Sequence, residues 1–301
     1  MENRNGRKLQ LLLLGILLLC LATMITGGCS SVYYYPESRQ FYDPAALSYE
    51  YESGFLEVED GEKIHYWYFP SEVRPARAVV LHFHGNAQNI SSHFLMSAWL
   101  VRFGYDVMMF DYRGYGQSDG EPSPENTYRD ALAALGEARA RANKKSIPII
   151  VFAQSLGGAV ALRAIVDSPA RRDVALFVAD STFPSYRGIV ELKARNILFF
   201  PLSTVISWFF SNNRSPEDVL ADIAPIPVLV MHSKQDPIVE YENGVQLYDG
   251  LRPPRKFLEI PTGGHLAWGE YGRSETDQML LKIMDGALRA YGSDSDPFEQ
   301  Q

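Results

Sequence analysis

Ile147-Pro148-Ile149-Ile150-Val151-Phe152-Ala153-Gln154-Ser155-Leu156-Gly157-Gly158 is the stretch from which the rest of this 301-residue chain is read. Its first half, 147–152, is a short apolar run, the pattern of a strand buried on both faces. From Leu156 the spacing changes at once to that of a helix, 156–167. A serine therefore sits in the turn from strand to helix, with a small residue two before it, Ala153, and another two after it, Gly157. Such a turn is sharp, holds the serine in a strained conformation and leaves Oγ exposed above the sheet edge, and the small residues let it fit against its neighbours. The helix N-terminus beneath it favours negative charge. A serine heading a helix can be a simple N-cap, but the preceding strand and the following Gly157-Gly158 make Ser155 the candidate nucleophile.

Working outward, apolar runs alternate with helical patterns. The runs are 54–59, 63–69, 76–82, 106–111, 147–152, 175–179, 227–231 and 256–260, and the helical patterns are 90–102, 124–142, 156–167, 240–251 and 275–291. Ser123 is placed to cap the second of these helices, with Glu125 in its first turn. This alternation predicts a mostly parallel eight-stranded sheet flanked by helices. The first two runs are joined by Asp60-Gly61, a turn signal that predicts an antiparallel hairpin at one edge. Residues 182–224, between the sixth and seventh runs, are longer than one crossover helix needs and include Phe199, Phe200, Trp208 and Phe209. They are read as a short helical lid with an apolar underside, the alternative being a helical pair packed on the core.

An acyl-transfer serine needs N–H donors aimed at the oxyanion that develops. One donor is Leu156, directly after the nucleophile. The third run leads into His82-Phe83-His84-Gly85-Asn86-Ala87, which places the Asn86 N–H as the second, with Gly85 allowing the tight turn. His84 is read as a structural histidine of that loop. His82 and His84 share a strand face, but no Asp/His cluster accompanies them, so no metal site is expected. The seventh run leads into Ser233-Lys234-Gln235-Asp236, and the last into Gly263-Gly264-His265. His265 is the candidate base and Asp236 the preferred acid, with Asp180, after the sixth run, as the alternative. Asp111 and Asp119, flanking Tyr112-Arg113-Gly114-Tyr115-Gly116, are read as fixing that loop. The order Ser155, Asp236, His265 is the one expected for a nucleophile on such a strand–turn–helix.

These motifs, together with Asp111-Tyr112-Arg113-Gly114-Tyr115-Gly116-Gln117-Ser118, resemble the α/β-hydrolase superfamily over about residues 54–291. They look most like its serine-aminopeptidase-like branch, which includes lysophospholipase-like and carboxylesterase-like members. The chain departs from the usual pattern with Ala153 in place of a glycine and Ser233 where relatives often have glycine. The resemblance implies a serine hydrolase working through Ser155, His265 and Asp236 without a cofactor, on a small-molecule acyl substrate. It leaves open an ester, a thioester or a peptide bond; a peptidase would need a carboxylate such as Glu191, Glu217 or Asp218 near the lid to bind a substrate amine. A non-catalytic envelope lipoprotein on the same scaffold is the remaining alternative.

The N-terminus reads as an export signal. Arg4, Arg7 and Lys8 precede an apolar run from Leu11 to Met24, which is followed by Thr26, Gly27, Gly28 and Cys29. A single short apolar run suits a signal peptide and falls short of the roughly 20 residues of a membrane span. Small residues before a cysteine resemble the lipobox of bacterial lipoproteins, although that class usually has Leu, Val or Ile at the place of Thr26. The resemblance implies a signal peptide over 1–28 and lipidation of Cys29; residues 30–53, rich in Tyr, Ser and Pro with little periodicity, are read as a tether, and 292–301 as a tail. Ser30 after the cysteine implies the outer membrane, facing the periplasm; an ordinary signal peptide or a retained anchor helix are the alternatives. Removing 1–28 takes away Arg4, Arg7, Lys8 and Glu2, so a net charge of −8 becomes about −10. An acidic body gains nothing from an anionic membrane surface, so attachment would come from the lipid. No basic face offers itself to nucleic acid. With Cys20 and Cys29 the only cysteines, the folded body has no disulfide and no thiolate nucleophile.

Overall fold

The computed structural model describes residues 33–195, 202–208, 210–269, 271–293 and 295–299. The export signal and Cys29 lie outside them, as do Phe199, Phe200 and Phe209. Ten strands are described: β1 (Tyr35–Pro36), β2 (Glu52–Glu57), β3 (Lys63–Phe69), β4 (Ala78–Phe83), β5 (Ala87–Gln88), β6 (Tyr105–Phe110), β7 (Ile149–Gln154), β8 (Val174–Asp180), β9 (Val228–Ser233) and β10 (Arg255–Ile260). Eight of them form one sheet in the order β10-β9-β8-β7-β4-β6-β3-β2. From β6 to β10 the neighbours are parallel, and β2 and β3 add antiparallel at one edge. The hairpin signalled by Asp60-Gly61 is present, with Gly61 at φ 89°.

The alternation of side chains along a strand divides the core in two. Val79, Leu81 and Phe83 of β4 join Ile149, Val151 and Ala153 of β7 on one face. Ala78 and Val80 join Ile150 and Phe152 on the other. The first face is covered by α3 (Pro124–Lys145), α4 (Leu156–Asp167) and α7 (Tyr241–Gly250), the second by α8 (Glu275–Ala290) and the segment after β5. Both faces being covered explains why β4, β6, β7, β8 and β9 are buried at every position. Ser123 caps α3, accepting from the Asn126 N–H at 3.1 Å.

Two expectations change in detail. The helix predicted over 90–102 is broken into α1 (Ile90–His93), α2 (Leu95–Ala98) and a 3-10 turn, Trp99–Phe103. Asn89 caps α1, its side chain accepting from the Ser91 N–H at 2.9 Å, and the chain turns at Phe94 before α2 begins. The segment read as a tether up to residue 53 is laid on the body from Tyr33 onward. Tyr33 and Tyr34 are buried, and Tyr49 and Tyr51 pack on the second core face. Between β8 and β9, where the lid was expected, stand α5 (Tyr186–Arg195) and α6 (Leu202–Ser207). Among the described residues no helix is long and apolar enough to cross a membrane.

Candidate active site

Ser155 follows β7 directly and stands at φ 52°, ψ −121°, a backbone conformation that costs an L-residue roughly 1–3 kcal/mol. The surroundings over-determine it. Its N–H donates to the Asp180 carbonyl at 2.9 Å, and its own carbonyl accepts from the Gly158 N–H at 3.0 Å and from Thr182 Oγ1 at 2.6 Å. Gly157 is required by close approach, since a Cβ there would lie 2.5 Å from the carbonyl oxygens of Phe83 and His84. Ala153, the departure from the usual glycine, buries its methyl in the first core face, opposite Phe83 and Ala179.

His265 lies after β10 and Asp236 after β9, and the two meet. His265 Nδ1 is 2.7 Å from Asp236 Oδ2, while Asp236 Oδ1 accepts from the N–H groups of Ile238 at 2.8 Å and Val239 at 2.9 Å. Burial alone would raise the Asp236 pKa; the His265 bond and the two backbone donors outweigh it and hold the carboxyl below its ordinary value. Asp180 is engaged elsewhere. Its carboxylate accepts from Gln154 Nε2 and Trp268 Nε1, each at 2.9 Å, and from Ser181 Oγ at 3.1 Å. Ser233 has a visible use: its hydroxyl donates to the Gly263 carbonyl and accepts from the Gln235 N–H, tying the Asp236 loop to the His265 loop.

The loop after β4 stands beside the serine, since a Cβ on Gly85 would be 3.6 Å from Ser155 Cβ. Leu156 is the first residue of α4, so its N–H has no partner within the helix. His84 donates through Nδ1 to the Gly85 carbonyl at 2.7 Å, and burial lowers its pKa, keeping the ring neutral. His82 is bonded on both ring nitrogens, to Ser97 Oγ and Gln154 Oε1. Asp111 accepts from the Ile90 N–H at 2.8 Å, whereas Asp119 fixes its loop through its backbone, which bonds Gly114 and Lys63. Among the described residues no three His, Cys, Asp or Glu side chains are grouped to hold a metal ion.

The sequence carried no signal for what braces this loop. β1 pairs in parallel with β5, bringing Tyr35 opposite Ala87. The Tyr35 N–H donates to Asn86 Oδ1 at 3.0 Å, and the Tyr115 hydroxyl donates to the Asn86 carbonyl at 2.6 Å. Asn89 Nδ2 reaches the carbonyls of Glu37 and Arg39. The N-terminal segment is thereby stitched to the loop that presents Asn86.

Ser155, His265, Asn86 and Leu156 line one cavity of about 390 Å³, roofed by Ile189 and Val190 of α5. Lys193 is the one Lys, Arg, Asp or Glu among its described lining residues. The carboxylates that a peptidase would use are not there: Glu191 is held by Arg195 at 2.6 Å and Thr204 at 2.9 Å, Glu217 accepts from Asn212, and neither they nor Asp218 line the cavity.

Residues 74–215 match the family described as serine aminopeptidase, S33. The chain is 32% identical over 237 residues to the protein YfhR of Escherichia coli, covering 78% of this chain and 79% of that one. It is 30% identical over 241 residues to the alpha/beta hydrolase domain-containing protein WAV2 of Arabidopsis thaliana, covering 74% and 75%. An esterase of Pyrococcus furiosus superposes with a TM-score of 0.65 at 20% identity, over 86% of this chain and 98% of its own. A mostly parallel eight-stranded sheet, a strained serine between strand and helix, and relatives alike over three quarters of both chains make this protein a member of the α/β-hydrolase superfamily.

Proposed function

We propose that the protein is an exported serine hydrolase that cleaves acyl esters through Ser155, His265 and Asp236. The observation that carries this reading is the strained Ser155 sharing a mostly apolar cavity with His265, whose Nδ1 is held 2.7 Å from Asp236 Oδ2. His265 takes the Ser155 proton as Oγ attacks the ester carbonyl. The N–H groups of Asn86 and Leu156 receive the oxyanion, and Asp236 keeps His265 in the required tautomer. The alcohol leaves with the proton from His265, forming an acyl-enzyme. Water activated by His265 then releases the acid and restores the serine. A cavity with no acidic side chain among its described lining favours an ester over a peptide with a free amine. The test is labelling with a fluorophosphonate: wild type should label and Ser155→Ala should not. A folded wild type that fails to label would favour a binding-only lipoprotein.

The brace on the oxyanion loop has a measurable consequence. Tyr115→Phe removes a donor to the Asn86 carbonyl. It should lower kcat about tenfold and leave KM within about twofold, because the loop matters most when charge develops. Steady-state kinetics on a chromogenic ester would show this; a change in KM alone would count against it.

The export signal and Cys29 support placement in the bacterial cell envelope, lipid-anchored and facing the periplasm. Cys29 is four residues before Tyr33, which lines the cavity, so an anchor there would hold the cavity within about 14 Å of chain from the lipid. Cys29→Ser should move the protein from the detergent-extracted membrane fraction to the soluble fraction. Persistent membrane fractionation would argue for a retained helix instead.

A further inference from the structure

Lys193 stands on α5, over the cavity that holds Ser155 and His265, and also lines a smaller adjoining cavity of about 130 Å³. Ile189, Val190, Ile238 and Val239 are among the residues that line the larger space with it. No ion pair or hydrogen bond joins Lys193 to any described residue: Glu240 lines the smaller cavity with it but forms no ion pair with it, and Glu191 on the same helix is committed to Arg195 and Thr204. Lys193 is exposed at the rim, yet the protein around it lowers its pKa by desolvation. Of the other two cations of α5, Arg195 has a carboxylate partner and Arg187 does not line the cavity. A lysine with no ion-pair partner among the described residues, at the rim of a mostly apolar cavity, is placed to meet a charge that arrives with the substrate.

We infer that Lys193 receives an anionic group on the substrate, so that the enzyme selects esters carrying a carboxylate or phosphate beside an apolar portion. This rests on the ester-hydrolase reading and adds the substrate class to it. It also gives the lid a sign: an amine is repelled where an anion is drawn in.

The experiment compares kcat/KM for four phenyl esters: neutral phenyl butyrate, its para-carboxylate, its para-phosphate, and the phenyl hemiester of glutaric acid. The carboxylate and phosphate arms identify the anion, and the hemiester asks whether the anion belongs to the acyl side. In wild type at least one anionic ester should exceed the neutral one by about tenfold. That ratio should fall to about one in Lys193→Met and below one in Lys193→Glu. Because each ratio is taken within one protein, a loss of folded material cancels. Ratios unchanged by both substitutions, or a neutral ester preferred by wild type, would overturn the inference while leaving the serine-hydrolase reading in place. Failure of wild type to hydrolyse any of the four, together with no Ser155-dependent labelling, would overturn both.

Discussion

Ser155→Ala is expected to lower kcat/KM by about 10⁴-fold or more while the protein stays folded. The size follows from the division of labour. Without Oγ no acyl-enzyme forms, and what remains is the positioning of water by the oxyanion donors. The fold should survive because Ser155 is held through its backbone, to Asp180, Gly158 and Thr182, and alanine retains those bonds. Alanine meets the same φ of 52°, so the strain is carried over rather than added. Parallel measurement of turnover and thermal unfolding checks both halves. Residual turnover near wild type would remove Ser155 from the chemistry.

Asp236→Asn is expected to cost about 10⁴-fold in kcat. The asparagine amide can donate where the carboxylate accepted from His265 Nδ1, and the ring then presents the wrong nitrogen to Ser155. Asp180→Asn separates the two acids. Its carboxylate binds Gln154, Ser181 and Trp268, so its replacement should register chiefly in stability, with a far smaller fall in kcat. A larger kinetic effect at Asp180 than at Asp236 would reverse the assignment. The pH dependence has a definite sign. Asp236 has a folded pKa below its unfolded value, so its contribution to stability is present above about pH 4 and is lost as pH falls through the folded value. Asp236→Asn should therefore flatten the acid limb of the stability curve, which urea titrations at several pH values would measure.

Much of the arrangement was legible in residue order because it is local or repetitive. The short continuous apolar runs of strands covered on both faces and the switch to helical spacing at Leu156 follow from backbone geometry. Parallel strands bring their C-terminal ends to one edge, so residues just past β4, β7, β9 and β10 had to cluster: Asn86, Ser155, Asp236 and His265 are those residues. Hidden from the sequence were contacts without period. Tyr35 reaches Asn86 from 51 positions away, and a tyrosine-rich stretch with no pattern gave no warning that it braces that loop. The break at Phe94 was missed because the apolar pattern of 90–102 runs on through it.

By itself, then, the sequence determined the layered sheet, the serine turn and the short set of residues able to meet at the strand ends, since strand and helix periods and chain order act through neighbours in the chain. Only the tertiary structure brought Asp236 rather than Asp180 against His265, placed the N-terminal segment against the loop that presents Asn86 and left Lys193 without an ion-pair partner among the described residues. Those outcomes depend on which polar groups are already satisfied once distant segments pack, and hydrogen bonds and charges are shared out in space rather than along the chain.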